Sequence, residues 1–358
     1  MAIYRSPLHE VEAAGGARFG QYHSWDIAED YGDPRREYDA VRAGAGALDL
    51  SHVGKVRVLG RDRVRYLHNM VSNDIKKLVP GQGCYAALLT HQGRMESDLY
   101  VYAFADELWL ECPAVAKAHV LETLNKYIVA DVVTIEDMTD KLAILSLQGP
   151  CSRRKMADCL GIPLDGQDLL QHSMVERSQA RWVAVRRDRT GCDGYDLWLP
   201  RENAASIWRQ WVESEGIAPV GYQALNWLRT EAGIPWFGVD MDDSRLPMEM
   251  GLDSAISLTK GCYRGQEIVA RVTYRGHLDR RLGGIVLDAP EPPPNGADVR
   301  RQGARIGEVT SAVISPRLGR PLALAILKLD FLKPGTAVDV RCGESIRPGE
   351  VVAMPLCD

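Results

Sequence analysis

Lys55-Val-Arg-Val-Leu-Gly-Arg-Asp62 opens the segment whose order of elements decides the fold class. Residues 55–59 alternate polar and apolar side chains, the period of a half-buried strand. Gly60-Arg-Asp62 breaks that period and starts a helix with Val64, Leu67, His68 and Val71 at helical spacing. Strand-like runs follow at 84–89, 99–104 and 108–112. Pro113 then stands in the first turn of a helix predicted over 113–127, where a missing N–H costs little. A strand over 131–135 completes the order β-α-β-β-β-α-β, a ferredoxin-like α+β domain with one added strand.

Outward from this segment the pattern repeats. Upstream, a helix over 35–45 carries Tyr38, Val41 and Ala45 and ends in the glycine-rich run 43–48. Downstream come a strand over 142–147, a helix over 151–160, strands over 183–187 and 195–199, and helices over 201–214 and 222–231. This reads as a second α+β unit of related layout. Asp288-Ala-Pro-Glu-Pro-Pro-Pro-Asn-Gly296 can continue neither a helix nor a central strand, so it marks a break. Beyond it, strands over 297–301, 305–309, 322–327 and 337–341 predict a small β-barrel or sandwich.

Composition narrows the function classes. A chain of 358 residues suggests two or three domains at about 150 residues each. Its net charge of −5 gives no global attraction for nucleic acid or an anionic membrane. The start lacks an apolar leader and no run of 18 apolar residues occurs, so a cytoplasmic protein is expected. Eight scattered cysteines (84, 112, 151, 159, 192, 262, 342 and 357) form no C-x-x-C pair and read as reduced thiols. No metal site is expected. Gly44-Ala-Gly46 lacks the strand that precedes a dinucleotide loop and reads as a helix-ending turn.

One stretch stands out chemically, Lys260-Gly-Cys-Tyr-Arg-Gly-Gln-Glu267. Gly261 and Gly265 allow tight turns or close backbone approach. Cys262 lies between Lys260 and Arg264, just before a potential helix over 266–272, surroundings that would lower a thiol pKa. From Lys260 to Arg281 six cations face two acids in an otherwise acidic chain. The alternative is a solvated cationic loop with an incidental buried cysteine.

The octapeptide resembles the signature of YgfZ-type folate-binding proteins, relatives of the glycine-cleavage T-protein (aminomethyltransferase) that are implicated in iron–sulfur cluster assembly and repair. The resemblance runs along nearly the whole chain. It includes Pro7-Leu-His9, Gly16-Ala-Arg-Phe19, His23-Ser-Trp25, Ala47-Leu-Asp-Leu-Ser-His52, Asn73-Asp74, Leu147-Gln-Gly-Pro150, Arg229-Thr-Glu-Ala-Gly233 and the run 311–318. It implies an α+β fold of three domains in a ring: two ferredoxin-like domains and a C-terminal β-barrel. The implied divisions are a discontinuous folate-binding domain (1–50 and 140–255), a ferredoxin-like domain (51–139), the signature loop and connector (256–285) and the barrel (286–358).

Roles carry over by position. The T-protein draws its catalytic carboxylate from the first Asp of Gly-Gly-x-x-Asp-Asp; the matching stretch here, Gly93-Arg-Met-Glu-Ser97-Asp98, has a serine there. A hydroxyl cannot act as that charge partner or base near neutral pH. In Gly194-Tyr195-Asp196 the acid matches the pterin-binding glutamate, since a carboxylate can bridge adjacent N–H groups. An exposed Asp at a strand start is its alternative. Arg229 matches the arginine facing the folate carboxyl tail, with an ion pair to Glu231 or a neighbour as the alternative. Tyr85 matches a channel tyrosine, and the family tyrosine before Thr-Gly is replaced by Arg189. The candidate cofactor site is therefore Asp196, Arg229, Tyr85 and Tyr195, with tetrahydrofolate or a one-carbon derivative as ligand. Cys262 and Lys260 are the candidate reactive pair, in a loop with Gly261, Tyr263, Arg264, Gly265, Gln266 and Glu267. The resemblance implies a monomeric folate-binding accessory protein with iron–sulfur client or assembly proteins as partners. The alternative is a folate-dependent aminomethyltransferase or methyltransferase/demethylase acting on a small substrate.

Overall fold

The computed structural model describes residues 3–356 apart from 178, 275 and 277. Cys357 of the thiol set and Arg275 of the basic stretch thus lie outside the described residues. The chain divides into two compact units, one of residues 1–67, 75–85 and 99–225, the other of 68–74, 86–98 and 226–358. Among the described residues no helix is long and apolar enough to cross a membrane.

The first unit starts with β1 (Tyr4–Arg5), α1 (His9–Ala14), β2 (Arg18–Tyr22) and β3 (Trp25–Asp30), strands that form a small sheet ordered β1-β3-β2. None of these elements has a clear period in the sequence. In α2 (Pro34–Ala43) the Asp33 side chain caps the helix by accepting from Arg36 N at 3.1 Å. Gly44 ends the helix and β4 (Gly46–Asp49) begins, so the glycine-rich run is a turn as expected.

The deciding segment folds as β5 (Gly54–Leu59), α3 (Arg63–Met70), β6 (Gly83–Leu89), β7 (Met95–Ala103), β8 (Leu108–Cys112), α4 (Lys117–Lys126) and β9 (Thr134–Asp137). The sheet order is β6-β7-β8-β5-β9, and β7, β8, β5 and β9 pair antiparallel. With β6 set aside as the addition, this is the ferredoxin-like order 4-1-3-2. Helix α4 starts four residues after Pro113, whose carbonyl instead accepts from Ala116 N in a preceding turn at 3.0 Å.

The second run is β10 (Leu142–Gln148), α5 (Ser152–Leu160), β11 (His172–Arg177), β12 (Ala180–Arg186), β13 (Gly194–Pro200), α6 (Ala204–Arg209), β14 (Ala218–Pro219) and α7 (Tyr222–Glu231). Its sheet is ordered β11-β12-β13-β10-β4-β14. Here β4, from near the start of the chain, fills the fourth strand position beside β10, and β11 is the addition. The helix predicted over 201–214 is three pieces, a 3₁₀ turn, α6 and a π-helical turn over Gln210–Ser214. Leu145, Leu147, Tyr195, Leu197, Trp208 and Trp211 are core residues here. Gly149 is left-handed (φ 121°), and a Cβ there would collide with the carbonyl oxygens of Val41 and Gly44.

The second unit contains α8 (Gln266–Tyr274) and six strands, β15 (Arg280–Leu287), β16 (Asp298–Arg301), β17 (Ala304–Ser315), β18 (Arg320–Lys328), β19 (Ala337–Cys342) and β20 (Ser345–Val352). They close into a barrel in the order β15-β18-β17-β16-β19-β20. The sequence reading lacks β15 and β20 because Gly283-Gly284 and Pro348-Gly349 look like turn signals. Packing explains them: a Cβ on Gly283 would lie 2.5 Å from Leu332 Cδ2.

A buried ion pair ties the unit's two conspicuous motifs together. Arg229 Nη1 lies 2.5 Å from Asp240 Oδ2, and both side chains are at most 1% exposed. Asn226 Oδ1 accepts from Arg229 Nε at 2.8 Å, and the Trp236 ring stacks on the guanidinium at 4.5 Å. Asp240 also accepts from Thr310 Oγ1 and Ser311 Oγ, each at 2.6 Å. Glu231 accepts from Ser315 Oγ and from Arg317 N. The run 229–233 is thereby fastened to the barrel strand β17 and the turn after it.

Removing Asp240 leaves the Arg229 cation buried without compensation. Asp240→Ala should cost about 3–5 kcal/mol, read as a lower denaturation midpoint, with Asp240→Asn losing less. In the first unit burial drives His52 down to about 3, with repulsion from Lys55 and Arg189 adding to it, and drives His172 down to about 4. The fold holds both rings neutral while the unfolded chain protonates them below its ordinary value of 6.5. Their stabilisation is complete above that pH and falls by about 1.4 kcal/mol per unit for each ring on acidification. Urea titrations between pH 6.5 and 4 should show a shallower pH slope for the His52→Gln, His172→Gln double variant.

Candidate functional site

Asp196 sits on β13, paired across the sheet with Ser146 of β10 and Val185 of β12, and is fully buried. The exposed strand-start alternative is therefore excluded. A buried carboxylate needs compensation, and Arg189 supplies it. Arg189 Nε donates to both carboxylate oxygens, at 3.2 and 3.0 Å, and Nη2 donates to Oδ2 at 2.6 Å. Nη2 also donates to Glu111 Oε1 at 2.8 Å. Burial raises the Asp196 pKa and Arg189 pulls it back. Burial would lower Arg189 in turn, but Asp196 and Glu111 outweigh it and hold the guanidinium firmly charged.

The loop carrying Arg189 is pinned. Asp188 Oδ1 accepts from Thr190 N at 2.9 Å and Gly191 N at 2.7 Å, an Asx-type turn. Buried Gln148 clamps the other side: its Oε1 accepts from Arg189 N at 3.0 Å and its Nε2 donates to Arg187 O at 2.9 Å. Glu111 projects from β8, opposite Tyr100 on β7. Its second oxygen, Oε2, is buried with no hydrogen-bond partner. Tyr100 stacks on Tyr85 at 4.4 Å and 18°, and the Arg187 guanidinium carbon lies 3.4 Å from the Tyr100 ring centre. The first unit thus holds two carboxylates, two guanidinium groups and a tyrosine pair as one polar cluster.

Two of the four expected folate contacts belong here, Asp196 and Tyr85. Tyr195 does not join them, because neighbouring strand residues face opposite ways. It is fully buried in the hydrophobic core, with its hydroxyl 3.3 Å from Leu164 O. Arg229 lies in the second unit, where it makes the ion pair of the alternative reading, with Asp240 as partner, while Nε bonds Asn226 and Trp236 covers the guanidinium. Glu111 escaped the sequence reading, although an acid inside Leu108-Trp-Leu-Glu-Cys112 is the mark of a buried, paired charge.

In the second unit the octapeptide is largely a bracket. Lys260 Nζ donates to the carbonyls of His68, in the last turn of α3, and of Val71 (2.6 Å) and Asn73 (2.9 Å) just beyond it, a cation's proper place at a helix C-terminus. That use corrects its assignment as electrostatic support for Cys262. Arg264 forms a two-pronged ion pair with Glu96, Nη2 to Oε1 at 3.0 Å. Gln266 Oε1 accepts from Tyr263 N at 3.3 Å, and Tyr263 is buried. Gly265 is left-handed (φ 84°), and a Cβ would lie 2.5 Å from Thr90 O, whereas Gly261 has open space around it. Cys262, Gly261 and Glu267 are exposed. Ser97, at the expected carboxylate position, is fully buried and donates to Asp98 O at 2.8 Å.

Comparison with known proteins fits this construction. The family model described as GCVT N-terminal domain matches residues 8–260, and the glycine cleavage T-protein C-terminal barrel domain matches 280–358. An aminomethyltransferase of Rubrobacter xylanophilus is 32% identical over 99% of this chain and 94% of its own length. One from a Picosynechococcus species is 29% identical over 99% and 98%. The crystal structure of the glycine cleavage system aminomethyltransferase T from Bartonella henselae superposes with a TM-score of 0.92 at 25% identity, covering 99% of this chain and 98% of that one. These comparisons identify the family without distinguishing a YgfZ-type branch within it. The chain belongs to the glycine cleavage T-protein family.

Proposed function

We propose that the protein is a folate-dependent aminomethyl- or methyltransferase acting on a small substrate. The observation that carries this reading is the buried carboxylate of Asp196 within an aminomethyltransferase-like layout that covers 99% of the chain. A carboxylate is the right partner for the adjacent N–H groups of a pterin, and the Tyr85–Tyr100 pair offers aromatic surface in the same unit. A reduced folate, when bound, supplies a nitrogen that accepts the one-carbon unit. This chain's part is to bind and orient it.

Ser97 narrows the donor. Its hydroxyl is buried and bonded to Asp98 O, and the nearby Glu96 is paired with Arg264, so neither offers a free carboxylate to accompany a leaving amine. With no carboxylate at position 97, a donor whose leaving group departs without protonation, such as a methyl on a cationic nitrogen or sulfur, is the kind this chain suits. Calorimetry should detect tetrahydrofolate binding by the native protein and at least about tenfold weaker binding by Asp196→Ala. Methyl transfer to tetrahydrofolate from an onium donor, or methylene transfer from an aminomethyl donor with release of ammonia, should appear with at least one member of a panel of such small compounds. Turnover with none of them would overturn the transferase reading.

A second reading, an accessory role in iron–sulfur cluster assembly or repair, is favoured by exposed Cys262 on its braced loop. It rests on the octapeptide. Cys262→Ala should then fail to restore the activity of cluster enzymes in a deletion strain, and full rescue removes the thiol from any such role.

A further inference from the structure

Arg189 poses a problem for the folate reading on which this inference rests, because it occupies both oxygens that a pterin edge would use. A carboxylate oxygen in a bidentate pair can still accept another donor sideways, but adjacent ligand N–H groups need the same face of the carboxylate as the guanidinium fork. One of the two must yield. Glu111 shows where the arginine can go. Nη2 already reaches Glu111 Oε1, Glu111 Oε2 is buried and unpartnered, and Arg189 Nη1 carries none of the four bonds described. A small rotation of the guanidinium would exchange its Asp196 contacts for a two-pronged pair with Glu111. The loop need not move for this, since Gln148 and Asp188 hold its backbone.

We infer that Arg189 is an exchangeable plug over Asp196, that Glu111 is its docking acid, and that ligands with two adjacent N–H donors bind by displacing the plug. The arrangement gives the site a selectivity filter. A ligand offering one donor cannot replace the charge-assisted pair, whereas a pterin edge can. The cluster's charge is conserved in the exchange: Arg189 remains paired throughout, so no cation is stranded in the buried layer. Glu111 is then a positioning residue, which acts on binding through Arg189 and without touching the ligand.

A double-mutant cycle tests this. Tetrahydrofolate affinity is measured by calorimetry for the native protein, Glu111→Gln, Arg189→Gln and the double variant, with thermal melts as a folding control. Glu111→Gln should weaken binding about tenfold in the native background and less than about twofold in the Arg189→Gln background, and Arg189→Gln should bind at least as tightly as the native protein. Equal losses in both backgrounds would make Glu111 a direct contact and overturn the exchange, as would no loss in either. Loss of binding in Arg189→Gln would make the arginine itself a ligand contact. Absence of binding by the native protein defeats the folate reading, and the plug with it. Should Arg189→Gln fail to fold, the side-chain Nε–H resonance of Arg189 in the native protein must shift on adding tetrahydrofolate; an unmoved resonance in saturated protein overturns the proposal.

Discussion

An ionised carboxylate with no solvent exposure survives inside a protein only if something charged or strongly hydrogen-bonding is held against it. Asp196 meets that condition through Arg189, and much of the first unit is arranged to keep the arginine in place. The Asx turn at Asp188 sets the loop, and Gln148 fixes it from the end of β10. Glu111 balances the second half of the guanidinium charge. The left-handed Gly149 lets β10 end there, which explains why a Leu-Gln-Gly-Pro run carries such weight.

The second unit solves the same problem with cations. Arg229 is neutralised by Asp240, which also gathers the hydroxyls of Thr310 and Ser311. Lys260 is satisfied by three carbonyls in and just after the last turn of α3. These buried groups are well paired, so their worth lies more in fixing one arrangement than in raw stability. They also show how a basic residue in a family-like motif can serve the fold: Arg229 uses Nε and Nη1 on Asn226, Ile234 and Asp240, and Lys260 uses Nζ on three carbonyls.

The fold was legible wherever periodicity was strong. The strands β5, β8, β10 and β13 and the helices α2, α5 and α7 lie within a few residues of their expected bounds. The failures have physical causes. Short N-terminal strands have too few residues to show a period, and the glycines of β15 read as breaks although they serve close packing. No local pattern could place β4 beside β10, since that pairing joins residues about a hundred positions apart. The site was legible only in part. Asp196 was found through its match to a family motif, while the local signal, an acid in an apolar strand, went unread both there and at Glu111. Arg189 was visible as a substitution, but that it closes over Asp196 is a property of the loop's three-dimensional path.

That path changes the meaning of the sequence departures. Taken singly, Ser97 looks like a lost catalytic group and Arg189 like a lost aromatic. In the structure Ser97 closes its hydrogen bond on the local backbone, so that position has become quiet structure. Arg189 has done the opposite and turned a simple acceptor into a salt-bridged one. Asp196, the pinned Arg189 and the second buried acid Glu111 form an arrangement in which each charge answers another. Burial of unpaired charge is penalised steeply, and Arg189 meets that penalty by facing both Asp196 and Glu111. Under the folate proposal, ligand binding at this place is therefore an exchange of partners at a buried charge and not the filling of an empty acceptor.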